Sequence, residues 1–115
     1  MKRRNLMLTV LLLFILAVHA QAALYANQST PELWFDGTTA YCLGQVKSSS
    51  TSSTIKATLT LWDGSRVVDS WSSSSTGSLS LSGSCTVSKG KKYTLTLDAT
   101  VNGVSIPRTS TSGTC

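Results

Sequence analysis

Thr54-Ile55-Lys56-Ala57-Thr58-Leu59-Thr60-Leu61-Trp62 is the stretch on which the fold reading turns. Ile55, Ala57, Leu59 and Leu61 alternate with Thr54, Lys56, Thr58 and Thr60. A period of two puts the apolar set on one face and the polar set on the other, the mark of a half-buried β-strand. Threonine suits the wet face because it is β-branched yet polar. Asp63-Gly64 follows, a turn dipeptide, so Ser65–Ser72 is expected to return as the second arm of a hairpin. Trp62 has polar-face parity next to that turn and is the tryptophan expected to be most exposed. Trp71 is expected in the core, because a small β domain needs large aromatic burial.

The same alternation continues downstream. Leu79, Leu81, Gly83, Cys85 and Val87 alternate with Ser80, Ser82, Ser84 and Thr86. Tyr93, Leu95, Leu97, Ala99 and Val101 alternate with Thr94, Thr96, Asp98 and Thr100. Asn102-Gly103 is a strong hairpin signal, because both residues tolerate positive φ. Val104 and Ile106 are expected to point inward on the last strand, and Pro107, lacking an N–H, suggests an edge. Upstream, Ala40–Lys47 reads as a strand, and Ser48–Ser53 and Ser73–Ser78 read as polar loops. Residues 23–39, punctuated by Pro31 and Gly37, read as irregular, with Leu33-Trp34-Phe35 as a short edge strand. No segment has a helical period. The expected fold is all-β: an antiparallel β-sandwich of immunoglobulin-like type with about seven short strands over 40–115. Its expected core is Ile55, Leu59, Leu61, Leu79, Leu81, Tyr93, Leu95, Leu97 and Val101. The abundant Ser and Thr would also fit a mucin-like stalk, but a stalk has no use for strict apolar alternation.

The chain opens Met1-Lys2-Arg3-Arg4-Asn5, then runs apolar from Leu6 to Val18 with only Thr9 interrupting, then reads His19-Ala20-Gln21-Ala22-Ala23. A basic start, a short apolar core and a small-x-small exit make residues 1–22 a signal peptide, with cleavage expected after Ala22, or alternatively after Ala20. A bilayer span needs about 20 apolar residues, more than this core supplies. The product is therefore expected to be secreted, meeting a membrane only through the leader before cleavage. The leader takes three of the ten basic residues and the single histidine, His19, with it. Seven bases against five acids leave +2, too weak a field for a nucleic-acid partner.

Three cysteines, Cys42, Cys85 and Cys115, remain in the exported part, where disulfides persist. Three pairings are sterically open. Cys85 shares parity with Leu79, Leu81 and Val87, and Cys42 with Ala40 and Val46. Parity therefore favours a Cys42–Cys85 disulfide, leaving Cys115 unpaired or intermolecular.

Ser52 to Trp62, Asp63-Gly64, Ser70-Trp71-Ser72, Lys89-Gly90 and Tyr93-Thr94-Leu95 together resemble a loose group of short exported proteins of Gram-positive bacteria, functionally unassigned. The resemblance covers roughly half of the exported part. It implies a bacterial, exported, sandwich-like protein and transfers no functional residue, since such folds host many functions.

Candidate chemistry is thin. A serine or cysteine nucleophile normally needs a nearby base, most often histidine, and none is expected after cleavage. A glycosidase needs two carboxyls flanking one bond. Asp63 belongs to its turn, Asp98 to a polar strand face, and Glu32 and Asp36 to the loose N-terminal segment, which leaves Asp69 alone. Zinc requires closely spaced Cys and His ligands and calcium a compact oxygen-rich loop; neither pattern occurs, and no metal or cofactor is expected. The expected function is non-enzymatic: a secreted binding or interaction module for glycan, cell-wall or protein ligands. Its candidate binding residues are Trp34 and Trp62, as exposed aromatics, and the basic turn Lys89, Lys91 and Lys92. The alternative is a structural or assembly protein joined through strand edges or an intermolecular disulfide.

Overall fold

Alternation becomes strand wherever the apolar parity can be covered by a second sheet. The computed structural model describes residues 27–115; the signal-peptide reading of 1–22 lies outside them. Seven strands follow in order: β1 Gln28–Asp36, β2 Thr39–Lys47, β3 Thr54–Asp63, β4 Arg66–Thr76, β5 Ser78–Thr86, β6 Lys92–Val101 and β7 Val104–Thr114. They form two wholly antiparallel sheets, β1-β2-β5 and β4-β3-β6-β7. Their inner faces share one apolar core, so the architecture is sandwich-like.

The first sheet supplies Ala40, Cys42, Val46, Leu79 and Leu81 to that core; β3 and β6 supply Ile55, Ala57, Leu59, Leu61, Tyr93, Leu95, Leu97, Ala99 and Val101. Every core residue expected from parity is buried. Tyr93 is only 3 % exposed because its hydroxyl accepts from the Ser88 N–H at 2.9 Å, satisfying the polar end of the ring.

Turn chemistry sets the hairpins. Asn102 and Gly103 both have positive φ, 51° and 79°, and join Val101 to Val104 as a two-residue loop. Asn102 also ties this hairpin to β3, its Oδ1 accepting from the Thr54 N–H at 2.8 Å. Gly64, at φ 60°, holds β4 against β3 through a two-residue turn between Asp63 and Arg66.

Three expectations need correction. Ser73–Ser78 is not a loop: β4 runs on to Thr76 and β5 begins at Ser78, with only Gly77, at φ 79°, between them. The stretch 23–39 is not irregular where it is described: from Gln28 onward it is a full strand, so the sandwich begins there and not at 40. Leu33 and Phe35 pack inward while Glu32, Trp34 and Asp36 face out. Ser29 and Pro31 hold the remaining inward positions; they are too small to announce a buried face, and an edge strand tolerates Pro31. On β7, Ile106 does pack against the core, but Val104 is 69 % exposed, because it sits at the hairpin end beyond the cover of the facing sheet.

Candidate functional site

The most open aromatic surface lies on the outer face of β1-β2-β5. The turn Gly37-Thr38 pairs Asp36 with Thr39, and that register sets Trp34 opposite Tyr41. The two rings are nearly parallel, 12° apart in plane with centroids 5.8 Å apart, and Trp34 is 48 % exposed. Tyr41 is paired in turn with Ser84, and Leu43 lies between Glu32 and Ser82. A cleft of about 400 Å³ runs along these residues. It offers an aromatic surface next to hydroxyls, with the Glu32 carboxylate across from Leu43. Tyr41 was not among the residues singled out for binding. Its signal is Gly37: with Gly37-Thr38 as the two-residue loop, Trp34 and Tyr41 stand across from one another, whereas Asp36-Gly37 as the loop would set Trp34 against Thr39.

Trp62 is on the opposite sheet. It faces outward, as its parity requires, but it is half-buried, and Trp34 is the most exposed tryptophan. The indole leans diagonally across β6, where Nε1 donates to Thr96 Oγ1 at 2.9 Å. That bond also satisfies the buried Thr96 hydroxyl. A cleft of about 340 Å³ is bounded by Trp62, Gly64, Ser65, Thr94, Thr96 and Arg108. Arg108 is anchored by Nε, which donates to Asp98 Oδ1 at 2.7 Å. Farther along the same face a hollow of about 610 Å³ is lined chiefly by Lys56, Thr58, Ser72, Ser74, Asp98 and Ser105, and no aromatic ring borders it.

The basic turn is not one patch. Lys91 Nζ pairs with Asp63 Oδ2 at 3.2 Å, and the same oxygen receives Arg66 at 3.5 Å. Lys89 and Lys92 are exposed, and Lys92 opens β6 on the face that carries Trp62. Trp34 and Trp62 both lie near this end of the sandwich, but on opposite outer faces, so the expected binding residues do not converge on one site.

All three cysteines are free thiols, which corrects the expected Cys42–Cys85 disulfide. Parity is as read: both point to the inner side of β1-β2-β5. The register is not. Cys42 lies opposite Gly83, and Cys85 opposite Ala40, so the two thiols are diagonal neighbours. Diagonal pairs stand roughly 7–8 Å apart, beyond ordinary disulfide reach. Burial pushes the Cys42 thiol up to about 12, helped by the nearby Cys85 and Asp69, and burial followed by Asp69 raises Cys85. Both are therefore neutral thiols, poor nucleophiles and poor metal ligands. Cys115 is held on both sides: its N–H donates to Lys91 O at 3.0 Å, its carbonyl accepts from Gly90 N at 2.9 Å, and Sγ donates to Gly37 O at 3.2 Å.

The unexplained acid, Asp69, faces the sandwich interior from β4, and its Oδ1 accepts from the Ser70 N–H at 2.8 Å. Among the described residues no three His, Cys, Asp or Glu side chains are grouped to hold a metal ion. The chain matches no protein-family model and no curated protein.

Proposed function

We propose that the chain is an exported, non-enzymatic binding module of immunoglobulin-like arrangement that holds a glycan on the Trp34–Tyr41 face. One observation carries the reading: a nearly parallel aromatic pair stands open on a face whose third strand presents Ser80, Ser82 and Ser84 outward. The negative π face of an indole attracts the slightly positive axial C–H groups of a pyranose. Serine hydroxyls donate and accept, which matches the ring's own hydroxyls. A clean apolar patch would suit a protein partner better; here only Leu43 extends the aromatic pair.

The strand order supports the finer fold assignment. In the constant-type immunoglobulin arrangement the first, second, fourth and fifth strands face the third, sixth and seventh. Here β4 has crossed to the β3 edge, held there by the Gly64-Ser65 turn. Export is supported by the leader pattern, and terminal sequencing of secreted material should begin within about three residues of Ala23.

Pull-down of the secreted protein on cellulose, chitin and purified peptidoglycan tests the binding reading. Retention on at least one, reduced tenfold or more by Trp34→Ala with an unchanged far-UV spectrum, is the expected result. A wild type retained by none, or a Trp34→Ala protein retained equally well, overturns it. The competing assembly reading draws on Cys115, a partly exposed free thiol. A reductant-sensitive dimer lost in Cys115→Ser would favour it.

A further inference from the structure

We propose that the Trp62–Arg108 cleft is a second subsite, on the sheet opposite Trp34, selective for a carboxylate-bearing sugar ring. The inference rests on the glycan reading only for the general class of ligand; the site and its residues are separate.

Two independent features point to this chemistry. The first is a fixed indole. Trp62 is tethered through Nε1 to Thr96, so the ring reclines over β6 in place of standing free. A ring held in one orientation loses little entropy when a sugar stacks on it. The second is a fixed guanidinium. Arg108 is exposed, but its Nε is tied to Asp98 at 2.7 Å. Among the described residues its terminal amino groups have no hydrogen-bond partner. Nε is engaged, so the two terminal nitrogens form the remaining donor pair, and a planar donor pair matches a carboxylate bidentately. Thr94 and Thr96, which border the same cleft, add hydroxyls, although Thr96 is already engaged by the indole.

The geometry selects against the alternatives within the cleft. A neutral sugar would gain the stacking but leave the guanidinium unmatched. A bare anion would gain the guanidinium but leave the indole uncovered. A pyranose carrying a carboxylate uses both, and Asp98, which accepts from Nε, leaves the terminal donor pair of Arg108 unfilled.

Titration of the full exported domain with tetragalacturonate and with its methyl ester, read by tryptophan fluorescence, tests this. The acid is expected to bind at least tenfold more tightly than the ester, and more weakly as sodium chloride is raised. Arg108→Gln should remove that preference, and Arg108→Lys should retain only part of it, because an ammonium lacks the fork. Both titrations are repeated in a Trp34→Ala background, which removes the other face from the response, and the acid preference should persist there. Arg108 is a surface residue, so both variants should keep the wild-type far-UV spectrum. Equal binding of acid and ester, an acid preference that survives Arg108→Gln, or no binding of either overturns the proposal. A wild type retained on none of the polysaccharides, or a Trp34→Ala protein retained equally well, overturns only the Trp34 reading.

Discussion

The two long edges of the sandwich are closed by the same device at different tightness. At the β4–β5 edge the half-buried Trp71 indole lies directly on Gly83; a Cβ at that position would land inside the ring. Val68, at the register shift beside Leu61, also packs against the core, while Asp69, Ser73 and Ser75, the other inward positions of β4, add no apolar cover. At the β1–β7 edge Phe35 lies over Gly113, where a Cβ would stand 3.0 Å from Cε2, and Ser29 and Thr109 share a 2.8 Å hydroxyl bond farther along the same edge, toward the start of β1. One edge depends on an aromatic-on-glycine contact, with only Val68 beside it as further apolar cover from β4. The other spreads closure over Phe35, Leu33 and a hydroxyl pair. A domain of this size has too few large side chains to fill both margins, so small residues on one strand admit an aromatic from the other.

The centre between the edges sets the scale. Leu59 is fully buried and paired with Leu97 on β6. Leu59→Ala is expected to cost about 2–5 kcal/mol, the range for truncating a buried leucine. Urea unfolding measures it. A loss smaller than that of any edge variant would mean that the margins, not the centre, hold the fold.

Gly83→Ala comes next. The added methyl cannot coexist with the indole, so Trp71 must leave its seat. Overpacking of this kind costs about 1–3 kcal/mol. Combining Gly83→Ala with Trp71→Ala should be less damaging than the two single losses summed, because the clash is gone once the ring is removed. Strict additivity in that cycle would break the account of the β4–β5 edge.

Alkali acts on the same edge. Cys42, inside the core beside Cys85 and facing Asp69 from β4, has its thiol pushed from about 9 up to about 12. The folded state thus keeps a proton that the unfolded chain gives up, and stability falls as pH rises from about 9 toward 12. Below pH 9 both states are protonated and the effect vanishes. At pH 10 the loss attributable to Cys42 is about 1 kcal/mol by linkage. Cys42→Ala should flatten that part of the pH profile relative to wild type. An identical alkaline slope in the variant would remove Cys42 from the explanation.

What was legible follows from how far each signal reaches along the chain. β3 and β6 announce themselves through unbroken alternation, and Asn102-Gly103 declares its hairpin because only two residues are involved. β1 was hidden along its first half, since its inward positions there are Ser29 and Pro31 and its most visible residue, Trp34, faces out. The cysteine pairing failed one step later. The faces of Cys42 and Cys85 follow from local parity, but the register of β2 on β5 is set across an intervening hairpin, and it places Gly83 where Cys85 was expected. The Trp34–Tyr41 pair needs Gly37-Thr38 as the loop; the more familiar turn dipeptide Asp36-Gly37 would have set Trp34 against Thr39. The Trp62 tether to Thr96 and the Arg108 anchor on Asp98 were out of reach, since both depend on side chains leaning between strands.

Gly113→Ala is the smallest expected effect and the sharpest test of the contrast between edges. Gly113 has no positive φ to protect, so alanine meets no backbone strain there. The new methyl would stand 3.0 Å from Phe35 Cε2 and 3.8 Å from Leu33 Cδ2, so only the phenyl ring must yield, by a few tenths of an ångström. Phe35 is partly buried and tilted 45° against Tyr93 at 6.0 Å, a contact with room to turn. Against that small strain, replacing glycine restricts the unfolded chain and returns about 0.4–1 kcal/mol. The two terms nearly cancel, and the net change in urea-unfolding stability is expected to stay within about 1 kcal/mol of zero. If Gly113→Ala costs as much as Gly83→Ala, the two edges are equally tight, and the distributed closure assigned to β1–β7 is wrong.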